Sequence, residues 1–565
     1  MRKSALFVVL GLLFGTSIGA AAHAATITAK SCNTSDVQNA INAATEGDTV
    51  DIPAGTCTWT SGVTVAGKGI NVVGAGTSRI IAVASTSSAV PLQTGNLTLT
   101  ILGADPGHPT PSITTGQTLR VEETGTETNY LQGTVTSFNA GTMSLGMNIT
   151  STAGRCGINS LSNCKRWLIA TVPTTATTIV NDDATNNALF SITEDTTFHT
   201  SVSELQVFSG TQGDGGTALG NVFSLNYATG GQAILLHDMR ISENVNNTIP
   251  PDGNGSMILS NTDRGVIWNV TFDAAPFAGP DLESIYLKDA TNNTHAWTEP
   301  DYMGTADTNG EHNFYIEDCD FHAIMYGPSI DDNGRMVIRY SMFDNTGVGT
   351  HGADTSDYGQ RYFEFYNNVG VFEGYSDATT FNLQTWLWMR GGTAVVYNNV
   401  LPAIVSQDYG NHADVLMTVM NLQRNGGPDP CWGAGTSGGA DYPAPRQVGF
   451  GYLTGTGKDG LGQSKDSITY VGDSDPLYIW DNTRVAGGAA VPLNVGLTDY
   501  GGSQCSNPDS TANYIKAGRD YFDTASTARP GWSPYTYPDP LRSGLGISST
   551  APPAPTSVVG VVAAQ

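Results

Sequence analysis

The sequence predicts an all-β chain wound as a right-handed parallel β-helix, a solenoid with an N-terminal capping helix and a small antiparallel β insertion. Three observations predict the solenoid. Apolar spacing of the helical kind occurs over residues 35–44 and then stops, giving way to short β-branched runs broken by Gly and Pro. From about residue 176 strand-like segments recur, and aligning them on Asp318, Tyr340, Asn367 and Asn398 gives steps of 22, 27 and 31 residues. Such steps suit one solenoid coil of three short strands with loops of unequal length. The composition agrees, with 67 Gly in 565 residues, 39% hydrophobic and only 13% charged. That is too apolar for a disordered chain and too uncharged for a long helical array.

Taken in order, residues 1–24 read as a secretory signal. Arg2 and Lys3 precede the apolar run Leu6 to Leu13, and Ala22-His23-Ala24 is a small-x-small cleavage site. The run is shorter than the roughly 20 apolar residues a membrane span needs, so no membrane span is expected and the chain is predicted to be secreted, extracellular or at the cell surface. Residues 25–104 hold the cap and first coils. Val37, Ala40, Ile41 and Ala44 form one helical face, with Ser35 or Asp36 placed to cap its start. The glycines of GKGINVVGAG read as tight turns, because no GxxxxGK[ST] occurs and Lys68 precedes the strand.

Residues 105–170 change texture to LRVEETG, NYLQGTVTSFNAGTMSLGMNIT and KRWLIA, a hairpin-rich antiparallel insertion with a turn at Phe138 to Gly141. Residues 171–545 form the main β-helix, including AILLHDMRI, GVIWNVTF, NFYIEDCDF, RMVIRYSMF, RYFEFYNNV, TAVVYNNV and PLYIWDNT. In YNNV, Asn at the strand end can bond backbone across the bend and stack on its neighbour. Residues 546–565 are a Pro/Ala/Val-rich tail. Seven cysteines fall into apparent local pairs, Cys32 with Cys57, Cys156 with Cys164 and Cys431 with Cys505, leaving Cys319 as a buried thiol.

The segments SCNTSDVQNAINAATEGDTVDIPAGTCTWTSGVTV, IDDNGRMVIRYSMFDNTGVGTHGADTSDYGQRYFEFYNNV and YIKAGRDYF with YTYPDPL carry a resemblance. They look like secreted bacterial proteins of the pectin-lyase-like, right-handed parallel β-helix superfamily. That superfamily includes polysaccharide lyases, glycoside hydrolases, adhesins and phage tail-spikes, and fold does not select among them.

Alternate residues of a strand face opposite sides. In RYFEFYNNV, Phe363 and Phe365 then fill the core while Tyr362, Glu364 and Tyr366 face outward. A carboxylate between aromatic rings on an external groove suits carbohydrate chemistry, rings stacking on sugars and the acid moving protons. The repeat steps place Glu317, Arg339, Tyr366 and Tyr397 in one external ladder, with Tyr315, Val337, Glu364 and Val395 in the next. Arg339 would sit one coil from Glu364, either as a surface ion pair worth at most about 1 kcal/mol or as a group that holds an acidic sugar or acts as base.

Glu364, Arg339, His351 and Asp332 are the candidate catalytic residues. Asp331 and Asp332 in SIDDNGR are hard oxygen ligands suited to Ca²⁺, the one cofactor considered, although DNG is also an ordinary turn. His351, with Asp354 three residues on, could serve as general acid or base or stand as a solvated loop histidine. Candidate substrate contacts are Tyr362, Tyr366, Tyr397, Glu317 and Arg361, with Trp386 and Trp388, placed on one strand face in TWLWMR, extending a stacking platform or simply packing. Absence of GxSxG, HExxH and Cys–His constellations disfavours serine hydrolases, zinc peptidases and nucleotide enzymes.

The net charge of −26, from 25 Lys+Arg against 51 Asp+Glu, excludes nucleic acid as a partner, since an acidic surface repels phosphate. It also tilts the substrate toward a neutral glycan, or an acidic one bridged by calcium. The expected function is an extracellular polysaccharide-degrading enzyme, lyase or glycoside hydrolase, acting along an external β-helix groove. The alternative is a non-catalytic surface adhesin or a filament-forming β-helix that self-associates.

Overall fold

The computed structural model describes residues 24–84, 90, 92–103, 112–123, 126–154, 167–183, 187–209, 221–243, 256–262, 264–274, 283–288, 310–324, 326–331, 334–350, 360–371, 386–401, 415–420, 448–449, 474–486, 489–498, 515–523 and 528–543. They form a parallel β-helix. One coil runs Arg335–Arg339, Met342–Asp344 and Gly347–Thr350, and the next Tyr362–Tyr366, Val369–Val371 and Leu387–Met389. All three strands of the first coil pair in parallel with those of the second.

The bend between the first two strands of a coil carries one residue in the left-handed region. Asp318, Tyr340, Asn367 and Asn398, the residues that anchor the repeat, have φ of 51°, 55°, 58° and 51°. The series continues upstream through Glu204, Asp238 and Asn269 and downstream to Asp481. Asn and Asp suit this conformation because their short polar side chains bond locally. The residue after the bend faces inward. Asn399 donates from Nδ2 to Phe365 O at 2.8 Å and to Asn482 Oδ1 at 2.7 Å, and Asn368 donates to Ile338 O and Asn399 Oδ1, both at 3.1 Å. In YNNV, then, the first Asn makes the bend and the second builds the buried ladder.

The core is filled in register. Phe272, Phe321 and Phe343 stack at 5.0 and 4.9 Å between centroids, and Phe363 and Phe365 lie buried nearby. Helix Thr34–Ala43 closes the N-terminal end with Val37, Ala40 and Ile41 buried. Its N-cap is Asn33, not Ser35 or Asp36; Asp36 accepts a hydrogen bond from Ser31 Oγ at 2.6 Å. Lys68 donates to Ile41 O and Ala44 O at the helix's other end, both at 2.7 Å, where the helix runs short of backbone donors. Gly74 lets the next coil approach, since a Cβ there would fall 2.2 Å from Glu204 O. A Cys32–Cys57 disulfide, spanning 25 residues with a Cα–Cα distance of 5.8 Å, ties the cap to strand Gly55–Trp59. Cys319 is buried and reduced. Cys156, Cys164, Cys431 and Cys505 lie outside the described residues, as do the 1–23 stretch and the tail from 544.

The antiparallel unit is a closed six-stranded barrel made by Ile80–Ala84, Gly95–Gly103, Thr118–Glu123, Thr126–Asn139, Ser144–Ala153 and Trp167–Thr171. It therefore begins at Ile80, taking in residues that the sequence reading assigned to the first coils. It has its own core, including Leu99, Val121, Leu131, Leu145 and Trp167. Ile80, Val83, Leu168 and Ala170 pack it against Met342 of the solenoid. Arg240 crosses that junction, donating to Glu122 at 2.5 Å and to Asp273 at 3.0 Å. Among the described residues no helix is long and apolar enough to cross a membrane.

Candidate functional site

The outward ladder has the predicted register. Glu317 pairs with Arg339, Arg339 with Tyr366, and Tyr366 with Tyr397, while Glu364 lies opposite Val337 and Val395. Trp268 extends the row upstream of Glu317 and Trp480 extends it beyond Tyr397. The face is not an open groove, however. Residues 528–543 lie along it as a strap, and Glu317, Arg339 and Glu364 are fully buried.

Arg339 donates from Nε and Nη2 to Glu317 Oε1 at 2.8 and 2.5 Å, and from Nη1 to the Tyr366 hydroxyl at 2.8 Å. It also donates to the strap carbonyls of Tyr535 and Thr536 at 2.8 and 2.7 Å. The expected surface ion pair is therefore a buried clasp, with its partner Glu317 and not Glu364. Arg542 of the strap adds a second guanidinium, 2.7 Å from both Glu317 Oε2 and Asp318 Oδ2. Glu364 Oε1 accepts from the Tyr362 hydroxyl at 2.5 Å and from Trp532 Nε1 at 2.9 Å.

The rings in this ladder do not offer their faces to a sugar. Tyr366 stacks on Tyr397 and Tyr397 on Trp480, at 5.1 and 4.8 Å, so their faces are spent on one another. Trp532 crosses their edges at 78°, 74° and 81°. Trp386 and Trp388 do not share a face either. Leu387 and Met389 point into the core and Trp388 faces outward, half-buried with the Arg390 guanidinium 5.3 Å from its ring; Trp386 precedes the strand and turns into the core. Arg361 is fully buried, and desolvation pushes its guanidinium down to about 10. Asp331 is buried and accepts the Tyr286 hydroxyl at 2.7 Å. Asp332 and His351 lie outside the described residues. Among the described residues no group of three or more His, Cys, Asp or Glu is arranged to hold a metal ion.

Two clusters escaped the sequence reading. Asp273, His322 and Asp344 sit in register on successive coils, each just after a stacked phenylalanine, with His322 Nδ1 3.1 Å from Asp344 Oδ2. All three are fully buried, which denies them a polymer. The pattern FD, FH, FD in VTFDAA, DCDFHA and SMFDN could have revealed the row.

The second cluster is reached through Arg79 and Glu204, with His237 and Asp238 buried beside them. It forms where the bend series meets the barrel entry. Arg79, the residue before the first barrel strand, has a side chain 45% exposed, and its Nη2 lies 2.7 Å from Asp238 Oδ1 and 4.0 Å from Glu204 Oε1, with Glu204 itself 40% exposed. Glu204 and Asp238 occupy the same bend on adjacent coils, the Glu204 N–H donating to Asp238 O at 3.1 Å. His237 Nδ1 is 2.8 Å from Asp238 Oδ2, Asn269 Nδ2 donates to Asp238 Oδ1, and the His237 ring stacks on Trp268 at 4.2 Å.

The two carboxyls are pushed in opposite directions. Burial, then the charge of Asp238, raises Glu204 above the ordinary carboxyl value against Arg79 and His237. Burial would raise Asp238 too, but the hydrogen bond from His237, the charge of Arg79 and the Asn269 amide hold it below. The bend positions Glu204, Asp238 and Asn269 extend the same repeat as Asp318 and Tyr340, so the SEL, HDM, WNV, EDC, RYS alignment could have found them. Arg79, 159 residues from Asp238, carries no such signal.

No protein-family model and no curated protein sequence matches this chain. Among solved structures, the chain is similar to the Gp54 tailspike of Acinetobacter baumannii bacteriophage AP22 in complex with a capsular saccharide. Identity is 10% over 80% of this chain and 72% of that one, with a TM-score of 0.21. It is also similar to the Yersinia enterocolitica family 28 exopolygalacturonase, at 13% identity over 70% of this chain and 68% of that one, with a TM-score of 0.25. Likenesses this distant carry no functional argument; the parallel β-helix stands on the strand register.

Proposed function

We propose that the protein is an extracellular polysaccharide-degrading enzyme whose acid–base chemistry sits at the junction of solenoid and barrel. The observation that carries this is the pair Glu204 and Asp238, neighbouring carboxyls beside one guanidinium whose protons are held with opposite tenacity. Such opposed shifts divide two acids into a proton donor and an ionised partner. Glu204, the acid that keeps its proton, donates it to the glycosidic oxygen as the C–O bond breaks. Asp238 stays ionised, faces the positive charge that develops at the anomeric carbon, and assists the water whose hydroxyl completes that carbon. His237 and Asn269 orient Asp238. The ionised Asp238 already neutralises Arg79 at 2.7 Å, leaving no surplus positive charge for a uronate, so hydrolysis of a neutral glycan fits better than lyase elimination. Export to an oxidising compartment fits the Cys32–Cys57 disulfide.

A panel of neutral and acidic glycans, read by reducing-end release and by absorbance of unsaturated products, tests the reading. Reducing ends without unsaturated product are expected. Glu204→Gln and Asp238→Asn are each expected to lower turnover by about 10²–10⁴-fold with the circular dichroism unchanged. Wild-type turnover in both variants would remove the chemistry from this cluster. Silence on every glycan together with polymers in electron micrographs would favour the adhesin or filament.

A further inference from the structure

The seam between strap and solenoid is lined with buried charged groups. Of the guanidinia that face it, Arg339 and Arg542 are matched by Glu317 and Asp318, and Arg335 lies buried 5.8 Å from the Tyr362 ring. Arg529, at the start of the strap, is already paired with Asp475 at 2.7 Å. Two carboxyls remain, one toward each end of the seam. Asp539 on the strap is buried beside Glu317 and accepts the Leu541 N–H through Oδ1 at 2.8 Å. Glu364 on the solenoid spends Oε1 on Tyr362 and Trp532, and its buried Oε2 has no hydrogen-bond partner. The phenols of Tyr315, Tyr340, Tyr362, Tyr366 and Tyr537 also face them, all held above the ordinary phenol value chiefly by burial, and Tyr535 packs beside them. Ionising Glu364 and Asp539 adds two negative charges to this desolvated seam, where Glu364 Oε2 has no hydrogen-bond donor to meet one of them, a costly step.

We propose that the strap is a proton-gated clasp, closed over the ladder while Glu364 and Asp539 carry protons and released as they ionise, uncovering Glu317, Arg339, Tyr366 and Tyr397. This is independent of the reaction assigned to Glu204 and Asp238. Burial pushes Glu364 above its ordinary 4.5, and burial together with the charge of Glu317 pushes Asp539 from 3.8 to about 6. Both return to ordinary values when the strap lifts. Closure is thus fully supported below those ordinary values and loses support as pH rises through the closed-state values. Asp539 alone shifts the ratio of closed to open strap by about 10²-fold between acid and neutral pH, and Glu364 adds to it in the same direction.

Hydrogen exchange of residues 531–543, corrected for the intrinsic pH dependence of exchange, tests the clasp on the full chain. Between about pH 4.5 and about pH 7.5, strap protection is expected to fall by more than about 10-fold while the core strands keep theirs. In Glu364→Gln with Asp539→Asn the protection is expected to stay high at both values. Equal protection of the wild-type strap at the two pH values overturns the proposal whatever the variants do, and so does an unchanged pH dependence in the double variant.

Discussion

Replacing Arg339 by Met keeps an unbranched apolar stem and removes every donor the side chain supplies. Glu317 then loses the two N–H groups that reach Oε1 and retains Arg542 and the Asp539 N–H on Oε2. The Tyr535 and Thr536 carbonyls lose the contacts that pin the strap. Breaking a buried pair by removing one partner costs about 3–5 kcal/mol, because the other charge stays desolvated. A solvated pair would cost at most about 1 kcal/mol. Arg339→Met is therefore expected to destabilise by about 3–5 kcal/mol in urea unfolding followed by tryptophan fluorescence, which also reports Trp532 leaving the ladder. Adding Glu317→Gln to Arg339→Met should recover about 1 kcal/mol or more, since no charge is then stranded. A single-variant cost under about 1 kcal/mol, with the two substitutions simply additive, would mean that the pair is open to water and that the strap does not lie over it.

Two further outcomes follow from the geometry. Turnover should fall on the acid side as Asp238 gains a proton and on the alkaline side as Glu204 loses one; Arg79→Gln removes the charge that lowers both carboxyls, so both limbs of the rate profile should move to higher pH. Movement of neither limb would place Arg79 outside the site. Loss of the Cys32–Cys57 bridge, whose loop spans 25 residues, should weaken the cap by about 3 kcal/mol, read as faster hydrogen exchange in Thr34–Ala43 with the central coils unaffected. Unchanged exchange in that helix would show that the bridge does not brace it.

Features that depend only on neighbouring coils were legible in the sequence. In a solenoid each coil touches only the next, so the repeat step is also the register. That is why three steps of 22, 27 and 31 residues sufficed to place Phe363 and Phe365 inward, Glu364 outward, and Glu317, Arg339, Tyr366 and Tyr397 side by side. The same locality made the capping helix and the Cys32–Cys57 bridge legible, since their partners lie within the first coil. The bend residues Glu204, Asp238 and Asn269 belonged to the same repeat and were readable in principle. Only the tertiary structure decided what lies against those coils. Tyr535 and Thr536 reach Arg339 from 196 and 197 positions away, with no periodicity to announce them, and they turn an outward face into a buried seam. The barrel likewise brings Arg79 to Asp238 across 159 residues. Strand alternation tells a side chain to leave the core; whether it then meets water or another segment is settled by contacts that no local pattern encodes.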